Sequence, residues 1–190
     1  MNEVSINKEM KLSPHFKLGE LTKTSYYTTD GNIPSRVAIE NLKRICGWLE
    51  ILRERYNTVY GEKEGRREGV RREGDRREGV RREGVRSQET GVSRNDGEIP
   101  VIISSGFRSE EVNRKCGGAK GSNHLTGCAV DIHCYGPEQM IRYAWLLLDS
   151  ADENGWPFDE LILEQRGTTR WIHFAVRPKD NRRKILFDCR

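Results

Sequence analysis

Residues 99–134 read IPVIISSGFRSEEVNRKCGGAKGSNHLTGCAVDIHC and constrain the fold more than any other stretch, because a strand, an arginine, a helix start and two candidate metal ligands share one run. The apolar, β-branched segment 99–104, with Pro100 near its start and Gly106 after its end, predicts a buried strand. Phe107 and Arg108 fall on the turn that leaves it. Ser109 is a good N-cap, Glu110 and Glu111 sit where the helix dipole favours acids, and Gly117-Gly118 can end the helix in αL geometry. Arg108 therefore stands just before a helix N-terminus, where a guanidinium and unpaired backbone N–H groups make a receptor for a carboxylate. Pairing of Arg108 with Glu111 or another neighbour is the alternative.

From Ser122 the chain reads SNHLTGCAVDIH. Alternation places Ala129, Asp131 and His133 on one strand face and Val130, Ile132 and Cys134 on the other. Gly127 lets the backbone turn so that His124 swings back toward Asp131. An imidazole and a carboxylate converging in this way are ordinary zinc ligands, although a His–Asp hydrogen bond in a loop uses the same residues. His133 shares Asp131's face and is a rival to His124 as ligand, or a group that supports a ligand.

Residues 170–176, RWIHFAV, form a second alternating run with Trp171, His173 and Ala175 on one face. The preceding DELILEQRGTT reads as its hairpin partner. With an even loop, either Gly167-Thr168 or 166–169, Ile162 opposes His173 and Glu164 lies on the face of His173, diagonal to it. An odd loop sends Glu164 to the opposite face.

SSGFRS, then N-x-x-x-G-G-x-x-x-S-x-H-x-x-G-x-A-x-D-I, then W-I-H in a late strand resemble the zinc D-alanyl-D-alanine carboxypeptidases and their L-alanyl-D-glutamate endopeptidase relatives, which share the hedgehog/DD-peptidase fold. The resemblance runs from about Phe16 to Val176. It implies Zn2+ held by His124, Asp131 and His173, Arg108 holding a substrate carboxylate, and Ser122 donating a hydrogen bond to substrate. Many members carry the catalytic acid three residues before the last ligand; Arg170 occupies that place here, so the role falls to Glu164. The implied activity is hydrolysis of a peptide bond in peptidoglycan stem peptides, as a D-Ala-D-Ala carboxypeptidase or a related endolysin. A zinc-binding module of the same fold without catalysis is the alternative.

The remaining chain supplies walls. The arm FKLGELTKTSYYTTDGNIP offers Phe16 and Leu18 to staple it onto the core, and similar segments open family members. Asn32 or Ser35 can cap a helix over residues 35–57, whose Leu42, Ile45, Leu49, Leu52 and Tyr56 form a core stripe. Glu50 and its charged neighbours form that helix's solvated face, and His15 faces solvent. A second helix over 137–151 starts at Gly136-Pro137, carries Met140, Ile141, Ala144, Leu147, Leu148 and Ala151 on its apolar side, and ends at Gly155. Trp145 and Trp156 are expected in the core or a pocket wall. The tail after Val176 is basic, then apolar, and fits either a last strand or a docked segment.

Between these helices, residues 61–97 repeat RREGV or RREGD, with Gly69, Gly74, Gly79 and Gly84 at constant spacing. A period of five matches neither helix nor strand, and little apolar surface offsets ordering. A disordered insert is expected, with a helix held by Glu–Arg pairs as the alternative. Lys63 and ten arginines face ten acids between Gly61 and Glu98, leaving +1, which argues against a nucleic-acid tether. The whole chain carries +4 with a pI near 8.8, compatible with an anionic wall.

Five cysteines without paired C-x-x-C spacing suggest free thiols. Cys128 and Cys134 flank Asp131 but are not expected as ligands. Residues 1–10 are polar, without the apolar core of a signal peptide, and no apolar run of about 18 residues is present. The expectation is synthesis in the cytoplasm, with release to the wall by another factor as for a phage lysin. The sequence thus predicts one α+β domain over residues 1–190, expected to be a monomer: an antiparallel sheet carrying the zinc site, packed against helices and interrupted by the insert.

Overall fold

Alternating strands with one fully apolar face need a cover, and helices supply it. The computed structural model describes residues 7–75 and 98–189, with side chains over 7–61 and 98–188. In chain order come α1 (Leu18–Leu21), α2 (Arg36–Asp75), β1 (Ile103–Ser105), α3 (Glu110–Lys115), a 3-10 turn (Asn123–Thr126), β2 (Ala129–Cys134), α4 (Pro137–Asn154), β3 (Glu160–Arg166), β4 (Thr169–Ala175) and β5 (Lys184–Cys189). This is an α+β fold. The chain divides into two compact units, Met1–Leu52 with Val101–Arg190, and Arg53–Pro100.

In the first unit the sheet order is β1-β2-β4-β3-β5. Every neighbouring pair is antiparallel except β3 and β5, which run parallel. The apolar end of the tail, Lys184–Cys189, is therefore a strand, the outcome that composition left open. Val130 and Ile132 on β2, Leu161 and Leu163 on β3, and Ile172 and Phe174 on β4 are all buried on one face. Trp48 of α2 meets Phe174 edge-on at 5.2 Å, and α4 packs on β4, β2 and β3. A one-residue slip would carry this whole apolar set to the other face, so the core fixes the register and with it the polar face.

β3 and β4 turn through Gly167-Thr168, since Arg166 pairs with Thr169. Gly167 has φ +58°, as the first central residue of a type II′ hairpin turn requires. The even loop is thus the one formed: Ile162 opposes His173, Glu164 opposes Trp171, and Asp131 on β2 opposes His173 from the other side.

Several local expectations change. β1 spans only Ile103–Ser105 instead of 99–104, because Pro100 has no N–H to give a ladder and Ile102 turns outward. On α4 the buried stripe is Met140, Tyr143, Ala144, Leu147 and Ala151, while Ile141 and Trp145 point outward, Trp145 being 65% exposed. Those two lie one helical step beyond the stripe that meets the sheet. Trp156 packs edge-on against Trp48 at 5.4 Å. His15 does not simply face solvent: its Nδ1 lies 2.6 Å from Glu50, which also accepts from Ser13 Oγ at 2.6 Å, so Glu50 ties the arm to α2.

In the second unit α2 continues to Asp75, past the expected end at Asn57 and into the first repeat units. Extending a helix already nucleated adds one hydrogen bond per residue fixed, which lets it absorb glycines that could not start one. The rest of the expected disordered insert, residues 76–97, lies outside the described residues. Asn57 clasps the backbone of Ile99, accepting from its N at 2.7 Å and donating to its O at 3.0 Å.

The arm's role is to hold the turn that carries Arg108. Phe16, Leu18 and Leu21 are buried, as their apolarity predicts. Phe107 N donates to Leu21 O at 2.7 Å. Buried Asn32 donates to Thr22 O at 2.9 Å and accepts from Ser109 N at 2.7 Å, while Ser35 caps α2. At Gly106 a Cβ would stand 2.2 Å from Leu21 O, so no side chain fits there. Gly106→Ala is expected to cost about 1–3 kcal/mol of stability in urea melts, the range for overpacking.

The tail docks through Asp159, which is fully buried. Arg182 reaches it with Nε at 2.8 Å and Nη2 at 2.6 Å, and Asn123 Nδ2 donates at 2.8 Å. Burial alone would raise the Asp159 carboxyl, but these donors hold it at about 2 against an ordinary 3.8. A depressed folded-state value contributes stability that is complete above the unfolded value and is lost as pH falls through the folded one. The stability gap between wild type and Asp159→Asn should therefore be constant above about pH 5 and narrow as pH falls toward 2, as read in urea melts across that range.

Candidate metal centre

Opposite the apolar face, the sheet presents Asp131 from β2 and His173 from β4 as directly paired residues. His124 joins them from the 3-10 turn. Ser122 opens that turn by accepting from His124 N at 3.3 Å, and Gly127 closes it in αL geometry with φ +70°. A Cβ at Gly127 would lie 2.5 Å from Ala38 O, so the turn sits directly on α2.

His124 Nε2, His173 Nδ1 and Asp131 Oδ1 form a triangle with edges of 3.1, 3.0 and 3.2 Å. A tetrahedral ion with bonds of roughly 2.0–2.1 Å sets its ligands roughly 3.3 Å apart, so these three atoms fit the face of such a coordination shell. All three residues are buried, and together they are a group able to hold a metal ion. The donor chemistry agrees. His124 Nδ1–H donates to Gly106 O at 2.6 Å, which leaves the Nε2 lone pair facing the triangle.

Charge is arranged to match. Burial lowers the pKa of His124, and so favours the neutral form that ligates. Burial alone would raise Asp131, but the two imidazoles hold its pKa well below the carboxylate range. Burial lowers His173, yet Asp131 on one nitrogen and Glu160 beside the other lift it to about 9. Three acceptor-bearing groups thus surround a point that favours positive charge. Asp131 Oδ2 takes an ion pair from Arg108 Nη2, whose Nε donates to Ser105 Oγ at 2.8 Å. Ser104 Oγ donates to Asp131 O at 3.0 Å.

Arg108 therefore grips Asp131, while Glu111 pairs with Lys115 and Thr29 instead. Arg108 also lines a cavity of about 170 Å³ with Lys23, Tyr26, Ser104, Ser105 and Cys116. Glu164 is half-buried on the same sheet face, diagonal to His173. Burial and the charge of Asp131 raise its pKa above the usual glutamate value. Arg170 is turned away, its Nε donating to Gln165 Oε1 at 3.0 Å. His133 stands outside the triangle and meets Tyr135 edge-on at 5.0 Å. Among the described residues no cysteine joins the cluster; Cys128 and Cys134 are buried, and burial pushes the Cys134 thiol up to about 12.

Sequence reasoning missed Glu160, whose Oε2 lies 3.6 Å from His173 Nε2. The strand alternation that placed Glu164 beside His173 places Glu160 on the same face four residues earlier, so the signal was present. The two glutamates are electrostatic opposites. His173 and the cations around it hold Glu160 at about 2, whereas Glu164 is raised.

Fold and site together define a class: an α+β domain with a candidate His-Asp-His metal centre on the polar face of an antiparallel sheet. A family model described as Peptidase M15 matches residues 70–154, somewhat under half of the chain, and supports a peptidase of that family. The matched span carries Arg108, Ser122, His124 and Asp131 and stops before Glu160, Glu164 and His173. No curated protein matches the chain. Among the described residues no helix is long and apolar enough to cross a membrane.

Proposed function

We propose that this protein is a zinc-dependent metallopeptidase that hydrolyses a peptide bond in peptidoglycan stem peptides, as a D-Ala-D-Ala carboxypeptidase or a related endolysin. The observation that carries the reading is the 3.0–3.2 Å triangle of two imidazole nitrogens and a carboxylate oxygen. Its nitrogen and oxygen donors, with no thiolate, suit zinc in a catalytic setting of three protein ligands. When bound there, the ion supplies Lewis-acid activation of a water and of the scissile carbonyl.

The chain's own residues then divide the work. Glu164 is the group that takes the water's proton and hands it to the leaving amine, because its raised pKa brings it closer to the working pH. Glu160 is less suited to that task, because Asn123, Arg182 and Lys184 already hold its oxygens. Arg108, on the wall of the 170 Å³ cavity, fixes a substrate carboxylate while its Nη2 keeps Asp131 in place. Ser122 caps the 3-10 turn with its oxygen, and its hydroxyl hydrogen is the donor toward substrate. The protein works as a monomer on this reading.

Digestion of purified muropeptides with and without a chelator tests it. Release of one amino acid, or cleavage of the stem at one internal bond, with loss of either product under chelator and recovery on adding zinc, is the expected outcome. A protein that binds zinc yet cleaves no muropeptide would replace the peptidase reading with that of a zinc-binding module.

A further inference from the structure

We propose that Glu160 is a positioning residue that holds the His173 ring in its ligating orientation, and that the C-terminal segment braces it through Arg182. The proposal rests on the metal-centre reading above and extends it to residues beyond the ligands.

An imidazole can ligate through either nitrogen, and an acceptor on one of them decides which lone pair is offered. For His124 the acceptor is Gly106 O on Nδ1, at 2.6 Å. For His173 the ring is reversed: Nδ1 is in the triangle and Nε2 faces Glu160 Oε2 at 3.6 Å. Each histidine thus has one nitrogen in the triangle and an oxygen beside the other. Strand alternation fixes this, since Glu160 lies on the polar face of β3 diagonal to His173.

Glu160 is itself held from three sides. Asn123 Nδ2 donates to Oε2 at 3.1 Å, and Arg182 Nη2 lies 3.0 Å and Lys184 Nζ 3.5 Å from Oε1. Asn123 immediately precedes the ligand His124, and Arg182 also clasps the buried Asp159. One network therefore reaches both histidines and is closed by residues from the tail. With both oxygens committed, Glu160 is a brace for the ring.

Chelator competition with zinc on wild type, Glu160→Gln, Glu160→Ala and Arg182→Ala tests this, with melting of each metal-free protein as the control for folding. Wild type should bind one ion. Glu160→Ala should bind about 10–100-fold more weakly, the usual effect of removing a partner of a metal-ligating histidine. Glu160→Gln, which keeps an acceptor oxygen, should recover part of the loss, and Arg182→Ala should weaken binding less than Glu160→Ala does. Unchanged metal-free melting of Glu160→Gln alongside weaker binding separates positioning from general destabilisation. Wild-type binding with both Glu160 variants within twofold of it would overturn the role of Glu160 and leave the metal centre standing. Wild type that binds no zinc would overturn the metal-centre reading itself.

Discussion

Replacing Glu164 by glutamine should reduce turnover of the cleaved muropeptide by about 10²–10⁴-fold while the protein still binds one metal ion. The expectation follows from where Glu164 sits and from what it does not touch. It shares the polar face with Asp131 and His173, diagonal to the latter across a hairpin whose register is fixed by a two-residue turn. It is no member of the candidate metal triangle, so on the proposed reading its loss removes a proton carrier and leaves the three donors intact. Burial and the Asp131 charge hold its proton more tightly than an ordinary glutamate does, a shift in the direction that a general base needs. The amide of glutamine is isosteric and cannot accept that proton. Steady-state rates beside metal analysis of the same preparation check it. A variant retaining more than a tenth of the wild-type rate would move the general base elsewhere on the face.

Asp131→Ala should do broader damage: loss of the bound ion, loss of activity, and destabilisation of the metal-free protein by about 3–5 kcal/mol. Asp131 is buried and faces both imidazoles and the Arg108 guanidinium. Removing it leaves the half-buried Arg108 guanidinium without its partner and leaves the two imidazoles, 3.1 Å apart, with no carboxylate beside them. Breaking one side of a buried pair costs more than the pair contributes, because the remaining charge stays desolvated. Urea melts of metal-free wild type and variant, with zinc titrations of each, read the two effects separately. Stability within 1 kcal/mol of wild type would mean that water already relieves Arg108 at this site.

The site was legible to the extent that it depends on strand parity. Alternation in AVDIH and RWIHFA put Asp131 and His173 each on one face, and the structure pairs them directly. The face of Glu164 hung on whether the hairpin loop is even, and Gly167 in left-handed geometry makes it so. What was not legible lay in long-range contacts. Nothing near Arg108 in sequence announces that Asp131, 23 residues on, takes its Nη2. Likewise Asn32, which reads locally as a helix cap, spends its amide on Thr22, Phe107 and Ser109. On α4 the apolar residues outnumber the positions that face the sheet, so periodicity alone could not tell that Ile141 and Trp145 are left outside. The helical reach of α2 to Asp75 escaped a reading based on glycine content, because an isolated segment must meet the cost of nucleation and one that continues an existing helix does not.

The measurement that tests the central claim most directly is the location of the ion by anomalous scattering at the zinc edge, in crystals grown with zinc. The account predicts one dominant peak roughly 2.0–2.2 Å from His124 Nε2, His173 Nδ1 and Asp131 Oδ1 together. A peak held by other residues, or a zinc-soaked crystal with no peak at this triangle, would contradict it.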